Sequence, residues 1–267
     1  MKDLKLLVTD FDGTLVGFNT NESCEESLAI ELGKISQDGV LWVINTGRPF
    51  SILLEGLEYF NSTVKPHFII TDERHLYYPG DDGSWKPLGD WNEQCDLLHD
   101  KLFQACGSFF EQIHDLIAQY NGAVRIHRDA QGRPEGLLAT NGKILDEIAS
   151  MLLEHDCRPS DFLFQRSDTH LRFCHQFYNK GSTLAELSRF LFIEADHILA
   201  IGDHHNDLAM LNGQVATMVA CPSNAHDVVK KMVRQQGGHV SRYPTGKGTA
   251  EAIGRYHRGK TYIISEK

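Results

Sequence analysis

The chain has 267 residues, 41% hydrophobic and 23% charged, enough to bury a sizeable core as one large domain or two smaller ones. Its formal net charge of -10 argues against a nucleic-acid surface but leaves room for an anionic substrate held by a local cation. Six scattered cysteines with no CxxC pair, no apolar run of the roughly 18 residues a membrane span needs, and a strand-like start directly after Met1-Lys2-Asp3 predict a cytoplasmic protein without a membrane partner.

The first element, from Leu4 to Thr9, is a short Leu/Val-rich run that predicts a buried parallel strand. It ends in Asp10-Phe11-Asp12-Gly13-Thr14, two carboxylates one residue apart followed by a turn glycine. Such close anions require a proton, a cation or a metal between them. Asn19 to Cys24 reads as a turn and Glu22 to Gln37 as a helix, with Leu28, Leu32 and Ile35 apolar, Ile30 flanking them, and Gly39 after its end. Val40 to Ile44 is a second buried strand, ending at Asn45-Thr46-Gly47-Arg48. Pro49 opens a helix from Phe50 to Phe60 with Ile52, Leu53, Leu57 and Phe60 inward, and Phe68-Ile69-Ile70 is a third strand. This β-α-β-α-β rhythm predicts a doubly wound, parallel, Rossmann-like α/β sheet.

The rhythm then changes. His75 to Tyr78 reads as a strand, Pro79 to Gly83 as a loop, and Asn92 to Tyr120 as a long helical stretch interrupted near Gly107. Val124 to His127 alternates like a half-exposed strand, Gln131 to Glu135 reads as a turn and Gly142 to His155 as a helix. Phe162 to Phe164 and Leu171 to Phe173 read as paired strands around Ser167-Asp168. From Lys180 the first rhythm resumes, with a helix from Thr183 to Phe192 and a strand from Ile198 to Ile201 ending at Gly202-Asp203. A short helix from Asn206 to Leu211, a strand from Val215 to Ala220, and helices from Asn224 to Val233 and from Gly248 to His257 complete it. The expected architecture is a parallel core from residues 1–79 and 177–267, with an α+β cap inserted at 80–176.

Asp10 and Asp12, Thr46, Lys180, and Asp203 with Asn206 and Asp207 all fall at strand ends or helix starts of this core, so parallel strands bring them to one edge. Taken singly, Thr46 reads as a helix cap, Lys180 as a surface lysine and the Asp203 to Asp207 run as a capping cluster. Together they supply carboxylates for a hard divalent cation, a lysine charge and a hydroxyl, the inventory of phosphoryl transfer. A calcium loop starting at Asp10 is excluded, because Asn21 stands where its terminal glutamate ligand belongs.

In order and spacing, Asp10 to Thr14, Asn45 to Arg48, Asn179-Lys180-Gly181 and Gly202 to Asp207 resemble the four motifs of haloacid dehalogenase-like phosphatases. The segment between the second and third motifs resembles the inserted cap of the type IIB, Cof-like branch. Ile69 to Asp72, with Tyr77-Tyr78 and Trp91, is similar to sucrose-phosphate phosphatases. The resemblance implies Asp10 as nucleophile forming an aspartyl-phosphate, and Asp12 as general acid and then base. Mg²⁺ is implied on Asp10, the Asp12 carbonyl and Asp203, with Asp207 supporting it. Thr46, Lys180 and Asn206 are implied to bind the phosphoryl group, Asn206 alternatively orienting Lys180, while Arg48 serves either substrate or structure.

Three departures shape the expectation further. His204-His205 replaces small residues of the fourth motif and reads as structural or solvent-facing. Thr71-Asp72-Glu73 replaces an Asn-Gly-type turn, and its acidity predicts a substrate whose non-phosphate end is neutral and polar. In the cap, Arg125, His127, Arg166, Asp168, His170 and Arg172 are candidates for substrate contact, with Arg125 and His127 on one strand face. The expected protein is a Mg²⁺-dependent phosphatase of a small phosphorylated metabolite, a sugar phosphate foremost, acting as a monomer or weak homodimer without nucleic acid. A phosphomutase or a receiver-like phospho-signalling domain are the alternatives.

Overall fold

The computed structural model of the chain describes residues 3–18, 22–128, 132–167 and 169–258. The first part runs β1 (Leu6–Thr9), α1 (Glu26–Gln37), β2 (Leu41–Asn45), α2 (Phe50–Phe60), β3 (Phe68–Thr71), β4 (His75–Pro79) and β5 (Trp85–Pro87). The middle holds α3 (Trp91–Ala105), α4 (Gly107–Ala118), β6 (Val124–Arg128), β7 (Pro134–Ala139), α5 (Gly142–Leu153), β8 (Phe162–Ser167) and β9 (His170–His175). The last part is α6 (Lys180–Leu191), β10 (Ile198–Ile201), α7 (Leu208–Leu211), β11 (Met218–Cys221), α8 (Asp227–Gln235), β12 (His239–Val240) and α9 (Thr245–Arg258). None of the described helices is long and apolar enough to cross a membrane.

The packing separates into two compact units. One holds the described residues up to Trp91 and from Lys180 onward, and the other is Asn92–Asn179. In the larger unit eight strands form one sheet in the order β12-β11-β10-β1-β2-β3-β4-β5. All pairs from β12 to β3 are parallel, and β4 and β5 add an antiparallel edge.

Residue alternation in β1 explains the double winding, since successive side chains of a strand point to opposite faces. Leu7 packs in a cluster with Leu28, Leu32, Leu53 and Ile253, so α1, α2 and α9 cover one face. Leu6 and Val8 pack with Leu184, Leu187, Met210 and Val229, from α6, α7 and α8 on the other. Each such leucine is fully buried, and truncating one to alanine would cost about 2–5 kcal/mol. The chain steps from β1 to β2 and β3 in one direction and from β10 to β11 and β12 in the other. The C-terminal ends of β1 and β10 therefore flank the point where the winding reverses, the usual ligand position in open α/β sheets.

The smaller unit carries an antiparallel sheet in the order β6-β7-β9-β8. Leu102, Phe109, Ile113, Ile148, Phe162 and Phe173 form its core, joining α3, α4 and α5 to the strands. The helical stretch does break near Gly107, into α3 and α4.

Several sequence expectations are corrected. The hairpin of β5 on β4 keeps residues 80–91 in the larger unit, so the inserted unit starts at Asn92 rather than 80 and ends at Asn179 rather than 176. The turn expected over Gln131 to Glu135 is cut short by β7, which begins at Pro134 and pairs on both sides. Gly136 in this strand allows close packing, because a β-carbon there would lie 2.3 Å from the Leu171 carbonyl oxygen. Ile52 is exposed rather than inward. Phe192 is also exposed, because α6 ends at Leu191 and Phe192 takes φ +53°. The first helix starts at Glu26, where Glu25 accepts a hydrogen bond from the Leu28 N–H. Asn19 to Asn21, Gln131 and Asp168 lie outside the described residues.

Candidate active site

Four strand or helix ends of the larger unit build the site. Asp10 follows β1, its N–H donating to the Ile201 carbonyl of β10 at 2.9 Å. Thr46 follows β2, Lys180 opens α6, and Asp203 to Asp207 follow β10. Lys180 is fully buried, and its Nζ donates to Asp10 Oδ1 and to Asp207 Oδ1, both at 2.6 Å. Asn45 secures the backbone beneath, donating to the Lys180 carbonyl at 3.0 Å. Both oxygens of Asp207 are engaged, since its Oδ2 accepts the N–H groups of Asp203 and His204 at 2.8 Å each. It anchors the lysine and the loop that carries Asp203.

Asp203 is buried and accepts from Thr14 Oγ1 at 2.9 Å through Oδ1, while its Oδ2 has no hydrogen-bond partner. Gly13 permits this approach: it adopts φ +76°, and a β-carbon there would lie 2.3 Å from Asp203 Oδ2. Carboxylate oxygens of Asp10, Asp203 and Asp207 lie within 4.8 Å of one another. Burial, then Asp207 and Asp12, push the Asp10 carboxyl up to about 7 despite Lys180. Burial, Asp10 and Asp207 push Asp203 up to about 9. Lys180 loses hydration on burial, yet the carboxylates of Asp10, Asp207 and Glu73 more than offset this and raise it above the ordinary lysine range. One lysine thus leaves the cluster short of positive charge, and the unpartnered buried Asp203 oxygen offers a ligand to a divalent cation. These hard oxygen donors fit Mg²⁺.

Asp12 is half-buried and sits apart from the lysine. Arg48 grips it through two bonds, Nε to Oδ2 at 2.7 Å and a terminal nitrogen to Oδ1 at 2.6 Å. The same guanidinium lies 4.6 Å from the centre of the Phe11 ring. Arg48 is therefore a partner of the second carboxylate, an arrangement the sequence did not indicate. Thr46 is buried, and its hydroxyl accepts the Arg48 N–H at 3.1 Å while keeping its own proton to donate.

Asn206 does not orient Lys180, as the sequence allowed. Its amide donates instead to Glu73 Oε1 at 2.8 Å. Glu73 and Asp72 form the turn after β3, with φ +64° and +52°. Each non-glycine residue so placed costs of order 1 kcal/mol, a strain that accumulates at functional sites. The sequence marked this turn as acidic but could not show that Glu73 points inward.

His204 is buried and accepts the His205 N–H through Nδ1 at 2.9 Å, capping a 3-10 turn over His205–Asp207. Its ring packs 4.1 Å from His226, centre to centre, and His204, His205 and His226 each offer a ring nitrogen within 4.8 Å of the others. In the smaller unit, Arg166 is committed to α5, donating to Asp146 at 3.1 Å and to the Gly142 carbonyl at 3.0 Å. Arg125 is exposed, and His127 packs edge-on against His170. Burial, then Arg172 and His127, lower His170 to about 4.

With this geometry in hand, the sucrose-6F-phosphate phosphohydrolase family profile matches residues 3–257. The chain belongs to that family. It is a phosphoric monoester hydrolase of the haloacid dehalogenase-like superfamily. A phosphoglycolate phosphatase from Methanococcoides burtonii is 25% identical over 251 residues, covering 94% of this chain and 95% of the relative. The 5-amino-6-(5-phospho-D-ribitylamino)uracil phosphatase YcsE from Bacillus subtilis is 26% identical over 264 residues, with the same coverage. Among solved structures, the sucrose-phosphatase of Synechocystis sp. PCC6803, in complex with sucrose and phosphate, superposes with a TM-score of 0.66 at 20% identity, over 96% of this chain and 98% of that one. BT1666 from Bacteroides thetaiotaomicron gives 0.65 at 18% identity over 96% of each chain. At that identity the two structures speak for the shared fold.

Proposed function

We propose that this family member is a Mg²⁺-dependent phosphatase of small phosphomonoesters, sugar phosphates foremost, that works through a phosphorylated Asp10. The observation that carries the reading is the buried Lys180 ammonium bridging Asp10 and Asp207, with the unpartnered Asp203 oxygen beside them. A nucleophilic carboxylate needs its charge steadied without being used up, and one lysine shared by two carboxylates does that.

In this reading Asp10, the main-chain carbonyl of Asp12 and Asp203 would hold the metal, and Asp207 would support it through its grip on the Asp203 loop. Bound Mg²⁺ supplies the positive charge that steadies the phosphoryl oxygens. Asp10 attacks phosphorus, and Asp12 gives its proton to the departing alcohol. Asp12 then takes a proton from the water that attacks phosphoryl-Asp10, which releases orthophosphate and restores Asp10. Lys180 offsets the charge on the equatorial oxygens, and the Thr46 hydroxyl and Asn206 amide donate to them. Arg48 holds the Asp12 carboxylate in place between the two proton transfers. The inserted unit, Asn92–Asn179, is the substrate-selecting cap in this scheme.

The test is a phosphate-release screen over sugar phosphates, phosphoglycerate, nucleotides and pyridoxal phosphate, with Mg²⁺ or with EDTA, and with Asp10→Ala as control. Release above the control that needs the metal but no bisphosphate activator supports hydrolysis over a mutase. No release above Asp10→Ala from any ester would sink the reading.

A further inference from the structure

We propose that Glu73 is a specificity-determining residue that turns the site against phosphoesters carrying a second anionic group near the phosphate, in favour of those carrying a hydroxyl there. The proposal rests on the phosphomonoesterase reading above and adds the class of ester.

The turn that bears Glu73 is pinned to both sides of the phosphoryl-binding residues. The Glu73 N–H donates to the Thr46 carbonyl at 2.9 Å, and the Glu73 carbonyl accepts from Thr183 Oγ1, one turn along from Lys180, at 3.2 Å. The side chain is 4% exposed, and its Oε1 accepts from Asn206. That oxygen lies 3.1 Å from where a β-carbon of residue 47 would stand, so Gly47 is what leaves room for the carboxylate. Oε2 is buried without a hydrogen-bond partner. The charge is therefore fixed between Thr46-Gly47 and Asn206, and it is one of the three that raise Lys180.

Compensation for this carboxylate comes from groups already in use. Lys180 is shared between Asp10 and Asp207. Arg48, whose carbonyl accepts the Asp72 N–H in the same turn, is gripped by Asp12. A phosphoryl group brings charge that Lys180 and a metal would offset, but a second carboxylate on the ester meets the fixed charge of Glu73 while Lys180 and Arg48 are already paired. A hydroxyl in its place carries no charge and can donate to a carboxylate.

The experiment compares kcat/KM of the full chain with Mg²⁺ for 2-hydroxyethyl phosphate and for phosphoglycolate, which differ in a terminal hydroxyl or carboxylate. The expected preference is about tenfold for the hydroxyl ester, and Glu73→Gln should narrow it by about fivefold, chiefly through a lower KM for phosphoglycolate. Equal or better use of phosphoglycolate by the wild type overturns the proposal, and so does an active Glu73→Gln with an unchanged ratio. If Glu73→Gln fails to fold, inhibition of wild-type p-nitrophenyl phosphate hydrolysis decides. Weaker inhibition by phosphoglycolate than by the hydroxyl ester supports the proposal, and equal inhibition overturns it. Hydrolysis of p-nitrophenyl phosphate with no discrimination sinks the specificity claim alone. No hydrolysis of any of the three esters sinks the phosphatase reading and this one with it.

Discussion

Replacing Lys180 with methionine tests the electrostatic design of the site. Methionine keeps an unbranched stem in the buried slot but removes the ammonium that sits 2.6 Å from both Asp10 and Asp207. Removing one partner of a buried ion pair typically costs about 3–5 kcal/mol, because the other charge stays behind unpaired. The cost should depend on pH. Asp10 already holds its proton up to about 7 with the lysine present, mainly through burial, and Lys180 is the strongest influence lowering it. Without the lysine the carboxyl moves higher still. A carboxyl whose folded-state pKa lies above its unfolded value of 3.8 favours the fold below that value and loses this contribution as pH rises through the folded pKa. Lys180→Met should therefore lose the most stability at about pH 8 and markedly less at about pH 5.5. Urea unfolding followed by circular dichroism, in EDTA at both pH values, measures this. A variant as stable as the wild type at the higher pH, or one whose deficit is the same at both, would refute the reasoning.

The remaining predictions follow from the same cluster. Metal-free wild-type protein should lose stability as pH rises from about 4 towards about 9. Asp10 and Asp203 are raised to about 7 and about 9, and Mg²⁺ should flatten the profile in thermal melts. Asp203→Asn should be at least as stable as the wild type in EDTA, because it removes a buried carboxyl whose ionisation burial, Asp10 and Asp207 all oppose. It should lose the wild type's stabilisation by Mg²⁺, about 2.7 kcal/mol at a hundredfold excess over Kd. Arg48→Gln should cost about 1.5–3 kcal/mol of stability, because the Asp12 pair is mostly buried, 14% and 22% exposed, and loses its charge-assisted bonds. Turnover should also fall about tenfold or more as Asp12 loses its hold, which steady-state kinetics would show.

Much of the fold was legible because it rests on local pattern. The apolar runs ending at Asp10, Asn45 and Asp203 carry their own stop signals, and parallel strands that end alike bring those ends to one edge. Asp10, Lys180, Asp203 and Asp207 do meet there. Features set by long-range packing were hidden. β7 starts at Pro134, inside the stretch that read as a turn, because it pairs with β6 on one side and β9 on the other. The pairing of β5 with β4 moved the start of the inserted unit from residue 80 to Asn92. The Arg48–Asp12 grip joins residues 36 apart, and the Asn206–Glu73 bond residues 133 apart. Neither separation leaves a signature in the sequence. The acidity of Asp72-Glu73 was visible, but their left-handed backbone was not, and it is part of the turn that carries Glu73 in towards Asn206.

The central claim is that Asp10 takes the phosphoryl group. Its most direct test is rapid acid quenching of the Asp12→Asn variant during turnover of an accepted ester with Mg²⁺, followed by peptide mass spectrometry. With the second step slowed, the phosphoryl group should be found on the peptide at Asp10 and be missing when EDTA replaces the metal. Orthophosphate release by that variant with Asp10 unmodified at every quench time would contradict the account.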